Sequence, residues 1–132
     1  VIALDTNVLI RFLVRDDERQ ARRARVLIEG AATAGDRCLV TSPVLCELEW
    51  VLEGVYNASR TDIADTVRGL LTTPPFVVED DALVRRALAS YVKGKADFSD
   101  YLLGQLGRAG GARTTYTFDR ALRNGEGFTV LP

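Results

Sequence analysis

The chain has 132 residues, 47% of them hydrophobic and 27% charged, with a formal net charge of −1. That length suits one domain with one core, the apolar share excludes a disordered chain, and the charge leaves no global basic field, so any nucleic-acid contact must come from a local patch. Histidine is absent, which excludes a histidine base, a histidine nucleophile-activator and a histidine metal ligand together.

Val1-Ile2-Ala3-Leu4 is a short apolar run and reads as a central strand buried on both faces. Asp5, Thr6 and Asn7 follow, each able to bond backbone amides locally. Val8, Leu9, Ile10, Phe12, Leu13 and Val14 are dense enough for a buried helix. Asp5 therefore stands where a strand ends and a helix begins. It either caps the helix or works as a carboxylate at the strand's carboxyl end, where open α/β sheets bind ligands. Asp16-Asp17-Glu18 starts a second helix, with Ala21, Ala24, Leu27, Ile28 and Ala31 on its apolar repeat and Gly35 at its end. Arg19, Arg22, Arg23 and Arg25 make this helix basic, as a solvated face or a phosphate-contacting one. Methionine is absent, so the initiator lies outside this numbering, with the true amino terminus expected close by.

Cys38-Leu39-Val40-Thr41 reads as a second strand. Ser42 as N-cap and Pro43 at the first helical position start a helix to about Glu53. Val44, Leu45, Leu48, Val51, Leu52 and Val55 share one face of it. Glu47 lies at one edge of that stripe, in the second turn, and Glu49 at the other, with Glu53 opposite. Glu47 is either an ordinary flank acid or a ligand. Ser59-Arg60-Thr61-Asp62 resembles a capping box before a further helix, which Pro74-Pro75 stops. Phe76 to Glu79 is a short strand. Asp80-Asp81 begins a helix that Lys93-Gly94-Lys95 ends.

Asp97 and Asp100 then stand three apart at the start of another helix, a spacing that shares a face. Gly110-Gly111 closes it. Thr114 to Thr117 reads as a strand, Asp119 lies just past it, and Phe128 to Leu131 is a last, edge strand. No apolar run approaches the roughly 20 residues of a membrane span, and no signal-peptide pattern precedes Val1. Cys38 and Cys46 form no CxxC and are expected as free core thiols in a reducing cytoplasm.

Strands alternating with helices imply a parallel sheet whose strand carboxyl ends share one rim. Asp5 and Asp119 lie on that rim, and Glu47 and Asp100 lie in the opening turns of helices that begin there. Acids gathered in this way raise one another's pKa unless a cation intervenes. Oxygen ligands without His or Cys suit Mg²⁺ or Mn²⁺, which can activate water for phosphodiester hydrolysis.

Four stretches resemble, in order, the motifs of PIN domains, and specifically of the VapC toxins. They are LDTNVLIR (Leu4 to Arg11), SPVLCELEWVL (Ser42 to Leu52), ADFSDYLLG (Ala96 to Gly104) and TFDRAL (Thr117 to Leu122). The resemblance implies an α/β fold: a single PIN-like domain over residues 1–132, with a central parallel sheet of four or five strands flanked by helices on both faces. It implies a Mg²⁺- or Mn²⁺-dependent endoribonuclease, a homodimer and an inhibitory VapB-like antitoxin. Asp5, Glu47, Asp100 and Asp119 match the acidic catalytic quartet. Asp97 matches a further acid of the third motif. Which of Asp97 and Asp100 touches metal first stays open, with Asp100 favoured because it directly precedes Tyr-Leu-Leu. Thr6, Asn7 and Thr117 fit supporting roles around the site.

Arg11, Arg15, Arg22, Arg23, Lys93 and Lys95 are the candidate RNA contacts nearest the motifs. Phe12, Leu13 and Trp50 form an apolar surplus expected to take the antitoxin, unless a dimer interface or other helices cover it. Two readings of a strand followed by Asp fail on their letters. A dehalogenase-type phosphatase needs a second Asp where Asn7 stands, and a receiver domain needs paired acids after its first strand. A catalytically inert PIN-like RNA-binding or scaffold subunit remains the alternative.

Overall fold

The computed structural model describes residues 1–132. Its elements run β1 (Ile2–Ala3), α1 (Thr6–Val14), α2 (Glu18–Thr33), β2 (Cys38–Val40), α3 (Ser42–Gly54), α4 (Arg60–Thr72), β3 (Phe76–Val78), α5 (Asp81–Lys93), α6 (Phe98–Ala109), β4 (Thr115–Thr117), a 3₁₀ turn (Arg120–Leu122) and β5 (Phe128–Val130). The chain is α/β, with six α-helices and parallel strands only.

The sheet differs from the expected four or five strands. β1, β2 and β3 form a three-stranded sheet in that order, and β4 pairs with β5 in a separate ladder. β2 is therefore central and β1 is an edge. This explains why β1 is not buried on both faces: Ile2 is half-buried, Ala3 is exposed, and only Leu4 is fully enclosed. Strands of two or three residues offer few ladder bonds, so packing and not sheet breadth holds the fold. That packing is one cluster running from Leu4, Leu9 and Ile10 through Val40, Leu45 and Leu48 to Val84, Phe98 and Leu102.

The two-stranded unit docks on α6 at Gly104. A Cβ there would lie 2.5 Å from the Phe128 ring, so the glycine is what lets β5 approach the helix. Arg60 ties another corner. Its guanidinium lies 4.0 Å from the Tyr91 ring centroid and donates to the carbonyls of Tyr91, Gly94 and Ala96. It thereby satisfies the orphan carbonyls at the end of α5 and fixes the turn into α6. Thr41, not Ser42, occupies the N-cap position of α3, and its side chain makes no capping bond. The Ser42 amide sits inside the helix and donates to the Glu79 carboxylate at 3.1 Å.

Candidate active site

Asp5 follows β1 and occupies the N-cap of α1, yet its side chain accepts no capping bond. The local role that a strand-to-helix Asp would ordinarily play is left unused. Thr6, next in sequence, is buried, and its hydroxyl donates to Oε2 of Glu47 at 2.9 Å. Glu47 reaches this position from the second turn of α3, which begins at the carboxyl end of β2. The bond needs both a strand-terminal hydroxyl and an acid one helical turn in, which is how the first two motifs meet. Asn7 is exposed and lines an open groove of about 440 Å³ with Val8, Arg11 and Gln20.

A second group of acids gathers where α6 begins. Asp97 is its N-cap residue, and the Asp97 amide donates to Oδ2 of Asp100 at 3.2 Å. Burial pushes the Asp100 carboxyl above its ordinary pKa. The Asp97 amide opposes that shift, while the charges of Asp97 and Asp119 add to it. Those three acids therefore lie within one electrostatic neighbourhood. Asp119 caps the 3₁₀ turn by accepting from the Ala121 amide at 2.9 Å. Its own amide donates to the Thr117 hydroxyl at 3.0 Å. The Cys46 thiol pKa is raised by burial first and then by the charges of Glu49, Asp100 and Glu47. Cys46 and the fully buried Cys38 are both free.

Glu49 is the residue that sequence reasoning misplaces. The apolar pattern of α3 puts it at the edge of the stripe, and it is instead 1% exposed. Its carboxylate accepts from the Phe98 amide at 2.7 Å and the Ser99 amide at 2.9 Å. It thus supplies the N-terminal partner of α6 from another helix. Burial raises its pKa in spite of those bonds. The only sequence signal is its register, one turn before Glu53 on a helix whose acids otherwise look like flanking charges.

Glu49, Glu53 and Asp97 each offer an oxygen, and these atoms lie within 4.8 Å of one another. No three of Asp5, Glu47, Asp97, Asp100 and Asp119 are drawn so close. Each oxygen of Glu49 already accepts one backbone amide and keeps a second lone pair, so an ion at that trio would share Glu49 with the cap of α6. Asp5, Glu47, Asp97, Asp100 and Asp119 form no ion pair with any Lys or Arg. They are acids without a counter-charge, and their all-oxygen donor set fits a hard divalent cation.

The expected RNA contacts divide. Arg11 is engaged, donating to Gln20 at 2.6 Å and to Asp16 at 2.7 Å. Arg15, Arg22, Arg23, Lys93 and Lys95 are exposed and have no carboxylate partner. The apolar surplus divides as well. Phe12 packs edge-on to Phe76, with ring centroids 5.8 Å apart, so the core absorbs it. Leu13 and Trp50 stay exposed, at 39% and 56%.

An α/β domain with uncompensated carboxylates around the ends of its strands has the layout of a metal-dependent nuclease. The PIN domain family profile matches residues 2–127, and the chain belongs to that family. No curated protein matches it. No helix is long and apolar enough to cross a membrane.

Proposed function

We propose that this chain is a Mg²⁺- or Mn²⁺-dependent endoribonuclease and the VapC-type toxin of a toxin–antitoxin pair. It acts in the cytoplasm as a homodimer and is silenced by a VapB-like antitoxin. The observation that carries the reading is the buried Thr6 hydroxyl aimed at Glu47, beside acids that no Lys or Arg neutralises. A group held ready for a cation explains both features together.

Asp5, Glu47, Asp100 and Asp119, with Asp97 beside them, are the residues assigned to hold the ion. When bound, the ion supplies a Lewis acid that polarises a phosphoryl oxygen and activates water. The chain's own residues do the positioning. Thr6 orients Glu47, Thr117 orients the backbone at Asp119, and Glu49 anchors the helix end that carries Asp100. With no histidine available, proton movement falls to carboxylates and solvent. Leu13 and Trp50 are assigned to the antitoxin, whose basic residues would satisfy the same uncompensated acids.

The test is cleavage of a single-stranded RNA by purified protein in Mg²⁺, Mn²⁺ and excess EDTA. Cleavage that vanishes in EDTA and returns with either ion is the expected result. A folded protein inert under all conditions would favour the scaffold alternative, and cleavage in excess EDTA would contradict the mechanism.

A further inference from the structure

Beside the acidic rim lies a groove of about 540 Å³ between the α5–α6 turn and the 3₁₀ turn. Lys93 and Lys95 line one wall, and Arg120 and Arg123 line the other. None of these four cations has a carboxylate within ion-pair distance. The one acid of the groove, Glu126, is taken by Arg108. The groove is therefore a concentration of free positive charge on a chain whose net charge is −1.

Both walls run directly into the acids. Lys95 stands two residues before Asp97, and Arg120 follows Asp119. Ala121, which lines the groove, donates its amide to Asp119. The walls are also held in place. Arg60 bonds the carbonyls of Gly94 and Ala96 from behind. The Ala96 amide donates to the Tyr101 hydroxyl at 3.3 Å, and a Cβ at Gly94 would lie 1.8 Å from that oxygen. Gly94 thus makes the floor possible.

We propose that this groove holds backbone phosphates of single-stranded RNA next to the scissile bond, an inference that rests on the nuclease reading above. Opposed cations on two walls suit a strand carrying charge at regular intervals. Tyr101 is the only aromatic side chain of the lining, and it is buried, so there is no stacking platform for bases. The groove positions the strand through its phosphates and leaves sequence choice to other surfaces.

The experiment measures anisotropy of a fluorescein-labelled single-stranded oligoribonucleotide with the whole chain in EDTA, over a salt series. Lys95→Gln with Arg123→Gln is the first variant, and Lys93→Gln with Arg120→Gln is a second, independent pair. Arg37→Gln with Arg113→Gln is the control, removing two exposed charges before β2 and β4, at the far ends of the strands. Each groove pair should weaken binding at least about tenfold and lower the salt slope by about 0.7 for each phosphate that is no longer neutralised. The control should leave the slope unchanged. Equal weakening by the control, or unchanged binding in both groove pairs with melting retained, overturns the groove. Displacement of the RNA by polyglutamate at equal charge concentration would assign the groove to acidic peptides and overturn it as an RNA site. Cleavage by the wild type in Mg²⁺ is scored separately. Cleavage without groove-dependent binding removes only the groove, and groove-dependent binding without cleavage removes only the nuclease.

Discussion

The Thr6 hydroxyl donates to Oε2 of Glu47 across 2.9 Å, joining residues 41 positions apart. Thr6 is buried, whereas Glu47 belongs to an otherwise exposed position on α3. A buried donor reaching out to a surface acid fixes that acid in one orientation. Thr6→Val keeps the shape and removes the donor. It should cost about 1 kcal/mol of stability and lower RNA cleavage well beyond that. Thr6→Ser should restore most of the activity. Equal cleavage by wild type and Thr6→Val, measured at matched Mn²⁺, would show that the bond serves the fold alone.

Asp100 gives a pH dependence with a definite sign. Its folded pKa lies above the ordinary value because of burial and the charges of Asp97 and Asp119. The native state then binds the proton more tightly than the unfolded one. Its contribution to stability is complete below the ordinary carboxylate pKa and is lost as pH rises through the raised folded value. In EDTA, the stability of Asp100→Asn relative to wild type should therefore grow as pH rises through that window. Thermal melts of both proteins across pH check this. A difference that is flat with pH, or that shrinks as pH rises, would contradict the placement of Asp100.

Glu49 should behave as a structural anchor. Glu49→Ala leaves two helix-end amides of α6 without a partner and should cost about 3 kcal/mol. Glu49→Gln keeps one acceptor and should cost less, about 1 kcal/mol. Urea denaturation reads both. Neutral behaviour of Glu49→Ala would mean that water replaces the carboxylate at no cost.

The proposed antitoxin face can be probed cleanly at only one of its aromatic residues. Trp50 is 56% exposed, so Trp50→Ala should change stability by no more than about 0.5 kcal/mol. It should still weaken antitoxin binding by about tenfold or more, as truncation of an interface aromatic does. Phe12 packs on Phe76, so Phe12→Ala should cost about 2 kcal/mol in the fold itself. Calorimetric titration with the cognate antitoxin decides. Unchanged affinity in folded Trp50→Ala would move the interface elsewhere.

Much of the molecule is legible in its letters because local chemistry dictates it. Apolar repeats at helical spacing mark the helices, and Asp5-Thr6-Asn7 marks a strand turning into a helix. The Thr6 hydroxyl reads as supporting, and it bonds Glu47. The breadth of the sheet is not legible. Strands as short as Ile2–Ala3 carry no pattern that says which neighbour they pair with, so β1 reads as central when it is an edge. Glu49 is hidden for a different reason. A charged residue at the margin of an apolar stripe looks solvated, and its partners, the Phe98 and Ser99 amides, belong to another helix some 50 positions on. Phe12 looks like surplus because Phe76, which covers it, comes from β3.

The central claim is that the acids at the strand ends, and not the tighter trio of Glu49, Glu53 and Asp97, hold the metal. Asp5 belongs only to the first set and Glu53 only to the second. Isothermal titration of Mn²⁺ into wild type, Asp5→Asn and Glu53→Gln separates them. The account predicts that Asp5→Asn abolishes or greatly weakens Mn²⁺ binding while Glu53→Gln binds as wild type does. Wild-type binding by Asp5→Asn, together with its loss in Glu53→Gln, would contradict it.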